Sequence, residues 1–552
     1  MISVFISHKL LSSLEKVFPD EAPGAPPFTT ASALQGERFG FQWALSPDQG
    51  DRLDAVVRVD SPLADAVCLY AVGCVPSLLP AYEGSDTDFL RRKPGLFPDV
   101  LAPTGGEISL MGNQWRSLWV EVALPPNQPA GSYPIRLTLA AAGNPGETLA
   151  EAAFTLEVIG ARLPEQTLIH TEWFHCDCLA LQYQVPVFSE EHWRIMENYM
   201  KNAVKYGVNM LLTPVFTPPL DTAVGGERPT VQLVDVVWEK GEYRFGFDRL
   251  KRYMDLAEAC GIRYFEISHL FTQWGAEHAP KIVVTVDGRE EKRFGWHTDA
   301  SSPEYVDFLN CFLSALKGYL RRENRLEQCW FHISDEPSRD ALESYRRARD
   351  SIREVLAGCH TMDALSEVAF YKEGLVPHPI PANDHIEAFL EEKVPRLWTY
   401  YCCGQTVEVS NRMMAMPSAR NRILGWQLYP HQIEGFLHWG YNFWFTALSR
   451  KAVDPYAVTD GGEAFPSGDP FLVYPGENGE PVPSIRQMVF NESLQDMRAL
   501  QLLESLLGRA AAEEWLEREA GGTLTFREYP RSAHWILDTR EKLNRKIAER
   551  NR

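Results

Sequence analysis

Short runs of alternating hydrophobic and polar positions occupy the first part of the chain, up to about residue 163. In "SLWVEVALPPNQPAGSYPIRLTLAAAG", Leu118, Val120 and Val122 alternate with other residues, a turn rich in Pro and Gly follows, and the alternation resumes at Ile135. This period of two predicts a β-hairpin, and "AAFTLEVIG" predicts a further strand. Because no segment of helical period separates these strands, we expect residues 1–163 to form a β-sandwich.

The pattern changes near residue 164, where apolar strands begin to alternate with amphipathic helices. Strands are predicted in "TLIHTEWFHCDCLA", "GVNMLLTPVFTP", "IRYFEISHLF" and "CWFHISDEP". Between the first two, Trp193, Met196 and Met200 recur on one face of a helix that Ser189 can cap. Strands that are apolar on both faces indicate a parallel sheet covered by helices. The number of strand-helix units favours a closed (β/α)8 barrel over residues 164–460.

Residues 461–552 begin with a stretch rich in Gly and Pro, "GGEAFPSGDPFLVYPGENGEPVPS", and helical patterns follow from near Ile485. The last of these, "ILDTREKLNRKIAERNR", is so highly charged that we predict a helix with a solvated face. We expect a loop and helical region that packs on the barrel. The predicted fold is therefore an N-terminal β-sandwich, a (β/α)8 TIM-type barrel and a C-terminal helical extension.

The charge balance narrows the classes of partner. Acidic residues number 74 and basic residues 54, so the formal net charge is −20, and no basic run could follow a phosphate backbone. Nucleic acid is therefore not an expected partner. No stretch reaches the roughly 18 uninterrupted apolar residues that span a bilayer. The opening "MISVFISHKLLSSLEKVFPDE" lacks the pattern of a signal peptide, so we expect a cytoplasmic protein.

The ten cysteines are mostly isolated along the chain. The two close pairs, Cys176 with Cys178 and Cys402 with Cys403, have neither the spacing nor the partner histidines of a zinc site, and no disulfide framework is evident. We predict buried, reduced thiols, and neither a metal nor another cofactor. The pattern gives no indication of an oligomeric state.

The segment "CWFHISDEPSRD" ends a buried strand on two adjacent carboxylates, Asp335 and Glu336, before Pro337. In a parallel barrel the functional face lies at the C-terminal ends of the strands. A strand that breaks at Pro337 can turn both side chains towards that face, and two close carboxylates raise one pKa so that a proton is held near neutral pH. The pattern alone also allows the alternative that both residues only cap the helix near Ser338.

Other predicted strand ends carry aromatic and hydrogen-bonding side chains. Aromatic faces suit the apolar C–H face of a sugar ring and polar groups suit its hydroxyls, so their combination at one barrel mouth favours a carbohydrate pocket. Taken singly, each aromatic side chain would more often belong to the core. The residues that we predict to contact the sugar are His269, Trp274, Asp363, Trp398, Tyr400, Trp439, Asn442 and Trp444.

Several segments resemble the catalytic domain of glycoside hydrolase family 123, a domain also known as DUF4091. In order and spacing they are "WFHISDEP", "LWTYYCC", "GWQLYPHQIEGFLHWGYNFW" and "GDPFLVYPG" with the following "PSIR". The N-terminal β-region resembles the accessory sandwich of that family. The chain departs from the family at "FNESLQDM", where members usually read Arg-Asp-Gly-Ile-Glu-Asp-Tyr, although Arg486 and Asp496 are retained.

The resemblance implies a retaining exo-β-N-acetylgalactosaminidase that acts by substrate-assisted catalysis. In that scheme the 2-acetamido oxygen of the substrate attacks the anomeric carbon and forms an oxazolinium ion. Glu336 would protonate the leaving oxygen and later activate water, while Asp335 would orient the acetamido N–H and stabilise the positive charge. The expected partner is a β-linked N-acetylgalactosaminide, although the residues leave open the choice between galacto and gluco sugars.

Two other interpretations remain at this point. A retaining β-glycosidase could supply its own carboxylate nucleophile, Glu266 or Asp363, and its two carboxyl groups would then lie about 5 to 5.5 Å apart. Alternatively, the chain could be a glycan-binding protein that has kept the barrel and lost catalysis. The intact pair of Asp335 and Glu336 favours an enzyme.

Overall fold

The computed structural model describes residues 5–551. The N-terminal part consists of strands, as the alternating pattern predicts. They are β1 (Ile6–Ser12), β2 (Thr30–Gln35), β3 (Arg38–Pro47), β4 (Leu53–Asp60), β5 (Val67–Ser77), β6 (Gly95–Thr104), β7 (Glu107–Leu110), β8 (Arg116–Ala123), β9 (Gly131–Ala141) and β10 (Asn144–Arg162).

These strands form two five-stranded sheets, in the orders β1-β3-β8-β5-β6 and β2-β10-β9-β4-β7. Buried apolar side chains of both sheets belong to one cluster, in which the rings of Phe41 from β3 and Phe154 from β10 stack with centroids 4.3 Å apart. Successive residues of a strand point to opposite faces and residues two apart share a face, so Leu118, Val120 and Val122 of β8 all join this cluster.

Parallel strands and helices alternate through the central part. The strands of the central part are β11 (Ile169–Glu172), β12 (Met210–Thr213), β13 (Asp235–Glu239), β14 (Glu242–Gly246), β15 (Tyr264–Ile267), β16 (Ile282–Val286), β17 (Arg289–Phe294), β18 (Cys329–His332), β19 (His360–Ala364), β20 (Pro379–Ile380), β21 (Trp398–Tyr400) and β22 (Gly435–His438). Strands β13, β14, β16 and β17 form a separate four-stranded sheet between barrel strands.

Eight of these strands form a nearly closed parallel barrel, in the order β20-β19-β18-β15-β12-β11-β22-β21. The two ends of this sheet meet at a parallel bridge between Ala382, just after β20, and Tyr400 of β21. The barrel expected from the repeated strand-helix units is thereby confirmed. β18 is the fourth strand in chain order, so the residues that follow it lie at the C-terminal mouth.

Local sequence signals mark the ends of α-helices, among them the predicted cap at Ser189. Ser189 accepts a hydrogen bond from the His192 amide at the start of one helix, and Gly261 ends the next in the left-handed conformation, with φ of 110°. The helices are α1 (Cys176–Gln182), α2 (Glu190–Lys205), α3 (Asp248–Cys260), α4 (Pro303–Arg322), α5 (Leu342–Ile352), α6 (Ala369–Lys372), α7 (Glu387–Glu391), α8 (Ser418–Arg422), α9 (Leu424–Leu428), α10 (Ile485–Leu507), α11 (Arg509–Ala520) and α12 (Ala533–Arg550).

The last helix, α12, has the predicted solvated face, on which Lys542 and Glu549 are exposed, but another face carries a buried charge. Arg540 is only 6% exposed, and its guanidinium pairs with Glu37 of the N-terminal region and with Asp496 of α10 at 2.8 Å. A charged helix face reads as solvated from its residue types alone. Here the opposite charges come from segments distant in sequence, and buried charges are expected to be paired in this way.

A second buried ion pair joins the N-terminal sheets to the first turn of α10, next to the loop that precedes this helix. This loop carries the short strands β23 (Val473–Pro475) and β24 (Pro481–Pro483). Arg486 binds both carboxylate oxygens of Asp99, from β6, at 2.9 Å each. Its remaining nitrogen donates to the carbonyls of Gly468 and Phe471. The position of the loop between those two residues therefore depends on Asp99.

Within residues 5–551, none of the helices combines the length and the apolar character needed to cross a membrane.

Candidate active site

Asp335 and Glu336 lie three and four residues after the end of β18, where the chain leaves the barrel wall. Glu336 has a φ of 41°, in the left-handed region that residues other than glycine rarely adopt. This turn directs both carboxylates into the same cavity, as expected from the position of Pro337. Such a strained backbone persists only where the surrounding structure holds it, and it is common at functional sites.

Neighbouring strand ends hold the turn in place. Asp363, in β19, accepts hydrogen bonds from the backbone amides of Ile333 and Ser334 at 2.9 and 3.1 Å. The next residue, Ala364, accepts one from the Glu336 amide at 3.0 Å. On the other side, the Trp274 amide donates to the carbonyl of Asp335 at 2.8 Å. The geometry of the acid pair is thus set by the strands on both sides of β18.

The space between the residues that line the cavity amounts to about 670 Å³, including the part at its mouth that is open to solvent. Its lining follows the C-terminal ends of seven barrel strands and combines aromatic rings with a few polar groups, the usual composition of a ligand pocket. The aromatic members are Trp173, Trp274, Tyr400, Trp439 and Phe465. The polar members are Asp221, Gln273, Asp335, Glu336, Cys402 and Cys403.

The pKa values of both acidic residues are raised in this environment. Burial raises the pKa of Asp335 well above its usual range, and the neighbouring charge of Glu336 adds to the effect. Burial also raises the pKa of Glu336, against the hydrogen bond from the Tyr400 hydroxyl at 2.5 Å, which lowers it. Two carboxyl groups this close titrate as a pair. One of them therefore keeps its proton to a higher pH than an isolated carboxyl group would.

A buried cation lies below this pair. His332 contacts Glu266 through Nε2 at 2.5 Å and Asp363 through Nδ1 at 3.2 Å. Burial alone would lower the pKa of His332, but the two carboxylates raise it to about 10. His332 is therefore an imidazolium at neutral pH, and its charge favours the ionised form of Asp335.

Glu266 and Asp363 are fully engaged in this network. Glu266 accepts hydrogen bonds from the Thr171 hydroxyl at 2.5 Å and the Trp173 indole at 2.6 Å, besides its contact with His332. Asp363 accepts a further bond from the Tyr345 hydroxyl. Neither carboxylate lines the cavity.

A protein-family model described as "Glycoside hydrolase 123, catalytic domain" matches residues 173–503, the range that contains every residue lining this cavity. The chain belongs to glycoside hydrolase family 123. The resemblance of "WFHISDEP" and of the segments that follow it to this family is thereby confirmed. The protein is a glycoside hydrolase.

Solved structures with a similar fold include a family 123 glycoside hydrolase from Clostridium perfringens, described for its glycolipid glycan hydrolysis. The two chains are 14% identical, with a TM-score of 0.74 over 99% of this chain and 98% of that one. A putative beta-galactosidase from Bacteroides fragilis is 9% identical, with a TM-score of 0.33 over 89% and 60%. A GH2 beta-galacturonidase from Eisenbergiella tayi is 10% identical, with a TM-score of 0.30 over 90% and 72%. No curated protein sequence matches the chain.

Three of the eight predicted sugar contacts line the cavity of this family 123 protein. Tyr400 holds Glu336, and the indole of Trp439 donates to Asp469 at 2.9 Å, which orients its ring. Trp274 is 49% exposed at the rim, with a φ of 62°. An exposed tryptophan on a strained backbone beside a pocket is an unusual use of an apolar side chain.

Trp398, Asn442 and Trp444 lie away from the cavity, which corrects their predicted positions. Trp398 points into the barrel interior, where its ring packs 5.0 Å from that of Trp330. Asn442 binds the backbone amide and carbonyl of His175, and the Trp444 indole donates to the carbonyl of Val473. A position near a strand end does not determine where a side chain points, because neighbouring side chains leave a strand on opposite faces.

His269 and Asp363 also lie outside the cavity lining. The ring of His269 stacks on that of His332 at 4.2 Å, is fully buried, and its burial lowers the pKa well below the usual range. Asp363 sits behind the acid pair, where it binds the turn and His332. Neither side chain lines the sugar cavity as predicted. Both lie in the layer of residues beneath the acid pair.

The sequence reasoning missed several lining residues. Trp173 comes directly after β11, so its place at a strand end could have revealed it. Asp221 and Gln273 lie in long connections, and no periodic pattern distinguishes them there. Among the described residues, no group of three or more His, Cys, Asp or Glu side chains has the arrangement of a metal site.

Proposed function

We propose that this protein is a retaining exo-β-N-acetylgalactosaminidase that uses the acetamido oxygen of its substrate as the nucleophile. The observation that carries the proposal is the arrangement of carboxylates. Asp335 and Glu336 line the cavity, whereas Glu266 and Asp363 are bonded to His332 and to other donors outside it. Neither of the two carboxylates considered as enzymatic nucleophiles lines the cavity, which suits a reaction in which the substrate supplies the nucleophile.

In the first step, protonated Glu336 gives its proton to the glycosidic oxygen as the bond to the anomeric carbon breaks. The acetamido oxygen attacks that carbon from the opposite face and closes the oxazolinium ring. Asp335 is the ionised member of the pair while Glu336 holds the proton, a state that the charge of His332 favours. Its carboxylate accepts a hydrogen bond from the acetamido N–H and stabilises the positive charge that develops on the ring.

In the second step, Glu336 is ionised and removes a proton from a water molecule. The water oxygen attacks the anomeric carbon, the oxazolinium ring opens, and the acetamido group is restored. Two inversions at the same carbon give net retention of the β configuration. The Tyr400 hydroxyl stabilises Glu336 in this ionised form through its hydrogen bond.

The aromatic lining supports a sugar in this cavity. We propose that the sugar's apolar face rests on the Trp439 ring and that Trp274, exposed at the rim, contacts the leaving group. Residues 1–163 would be an accessory β-sandwich, 164–460 the catalytic barrel and 461–552 a helical region that completes it. The ten cysteines are all free thiols, which supports a reducing compartment such as the cytoplasm.

The test is turnover of aryl glycosides by the purified protein. We expect hydrolysis of an aryl β-N-acetylgalactosaminide and none of the corresponding aryl β-galactoside, which lacks the acetamido nucleophile. Turnover of the aryl β-N-acetylglucosaminide, compared with that of the N-acetylgalactosaminide, measures which configuration at C4 the enzyme prefers. Substantial cleavage of the β-galactoside, or a covalent sugar adduct on Glu266 or Asp363, would overturn the proposal and favour an enzymatic nucleophile.

Two substitutions separate the proposed roles. Glu336→Gln should reduce turnover by about 10² to 10⁴-fold with poor leaving groups and far less with acidic ones, which need little protonation. Asp335→Asn should impair all leaving groups alike, since the charge on the acetamido group develops whichever group departs. Glu434→Gln is the matched control, because Glu434 precedes β22, is paired with Arg396, and lies outside the cavity.

A further inference from the structure

Two polar side chains of the cavity take no part in the proposed chemistry, and they lie side by side. Asp221 belongs to the connection after β12, and Gln273 to the connection after β15. The Gln273 side-chain oxygen accepts a hydrogen bond from the Asp221 amide at 2.7 Å. This bond places a carboxylate and a carboxamide next to each other on the wall of the cavity.

Gln273 has an unused donor. Its side chain is 6% exposed, and its Nε2 atom is buried without a hydrogen-bond partner among the described residues. The backbone amide of Asp221 is a donor, so the Gln273 side-chain atom that faces it must be the oxygen. The other atom, Nε2, is therefore the nitrogen that lacks a partner. A buried donor of this kind in a ligand cavity is expected to find its acceptor in the ligand.

Asp221 has an unused acceptor. One carboxylate oxygen accepts a hydrogen bond from the Leu448 amide at 2.8 Å, and Asp221 forms no ion pair within residues 5–551. The nearby Arg228 is occupied by Asp177, which it binds through two nitrogens at 2.7 Å. The Asp221 backbone has a φ of 39° and is held by the Ser449 hydroxyl, so the carboxylate has a fixed direction.

We propose that Asp221 and Gln273 form a hydroxyl clamp that restricts the site to neutral sugars. One sugar hydroxyl donates to the Asp221 carboxylate, and a neighbouring hydroxyl accepts from Gln273 Nε2. The inference deepens the proposed function and rests on it for the identity of the sugar. The site also selects against anionic sugars, because the cavity lining contains three carboxylates, Asp221, Asp335 and Glu336. Within the described part of the chain, this lining includes no Lys, Arg or His.

An anionic sugar, such as a sulfated or uronic one, would therefore meet carboxylates with no cation to pair with it. Like charges brought together in this way weaken binding strongly. Neutral hexosaminides with free hydroxyls match both the donor of Gln273 and the acceptor of Asp221. The substrate class is thus a glycan whose terminal N-acetylhexosamine carries no acidic substituent.

The experiment measures binding by calorimetry, separately from turnover. The ligands are N-acetylgalactosamine, its 3-, 4- and 6-deoxy analogues, and its 6-sulfate. We expect Asp221→Asn to weaken binding of the parent sugar by about 10- to 100-fold, the usual value of a hydrogen bond to a charged group. That penalty should vanish with the deoxy analogue that lacks the clamped hydroxyl. Gln273→Leu should show the same behaviour with the neighbouring hydroxyl.

The sulfated sugar gives a result that a folding defect could not produce. The wild-type protein should bind it at least about tenfold more weakly than the parent. Asp221→Asn should reduce this difference in affinity, because it removes one negative charge from the cavity and also weakens binding of the neutral sugar. Asp299→Asn is the control, since Asp299 also accepts a backbone amide but lies outside the cavity.

Equal penalties for Asp221→Asn across all three deoxy analogues, or a sulfated sugar bound as well as the parent by the wild type, would overturn the clamp. So would failure of the wild type to bind any of these sugars. Binding with the expected pattern but without hydrolysis of an aryl N-acetylhexosaminide would leave the clamp supported and the proposed reaction refuted. The two conclusions therefore fail separately.

Discussion

Removal of the Tyr400 hydroxyl should change the pH dependence of the enzyme in a defined direction. This hydroxyl donates to Glu336 at 2.5 Å and stabilises the ionised carboxylate. Burial raises the pKa of Glu336, and the bond from Tyr400 opposes that rise. In Tyr400→Phe the opposing interaction is lost while the aromatic ring remains, so the pKa of Glu336 should increase.

The size of the shift follows from the strength of the bond. A hydrogen bond to a charged group contributes about 1.5 to 3 kcal/mol, and one pKa unit corresponds to about 1.4 kcal/mol. The pKa of Glu336 should therefore rise by about one to two units. A general acid acts in its protonated form, so the alkaline limb of the kcat/KM profile should move to higher pH by that amount.

The assay is kcat/KM against pH for an aryl β-N-acetylgalactosaminide with a poor leaving group, for which protonation matters most. Tyr401→Phe is the matched control, because Tyr401 is adjacent and buried and its hydroxyl has no hydrogen-bond partner among the described residues. It should leave the profile unchanged. An alkaline limb that stays in place or moves to lower pH in Tyr400→Phe would refute Glu336 as the acid held by this bond.

Three further outcomes are expected. Trp439→Ala should raise KM about tenfold by removing the ring on which the sugar rests. Trp119→Ala, in the buried cluster that the N-terminal sheets share with the rest of the protein, should lower the melting temperature and leave KM unchanged. The folded protein holds the His332 proton up to about pH 10, so the contribution of this proton to thermal stability should be complete below pH 6.5 and be lost as the pH rises through 10. His332→Gln should remove that contribution from the pH dependence of the melting temperature. Arg540→Ala should lower the free energy of unfolding in urea by about 3 to 5 kcal/mol, because Glu37 is left buried without its partner.

The order and type of the barrel elements could be predicted because local patterns determine them. The apolar strands and the Ser189 cap depend on neighbouring residues, and each appears where the pattern indicated. The place of Asp335 and Glu336 was predictable for the same reason. A strand that ends at a fixed point of a parallel barrel carries its next residues to the mouth.

The direction of individual side chains could not be predicted in this way. Trp398 is the first residue of β21, and only its packing against Trp330 shows that it points inward. Asp221 reaches the cavity because three connections meet there, at contacts with Gln273 and Leu448. Such contacts join residues far apart in sequence, so a local pattern contains no trace of them.

The pairing of Asp99 with Arg486 limits how this protein can be rearranged. Arg486 holds the carbonyls on both sides of Asp469, and Asp469 in turn orients Trp439 at the cavity. A chimaera that combined this barrel with the N-terminal sheets of another protein would leave the Arg486 cation buried without a counter-ion unless the new sheets also supplied an acid at the position of Asp99. The two regions are thus expected to be inherited, and to be engineered, as a matched pair rather than as interchangeable modules.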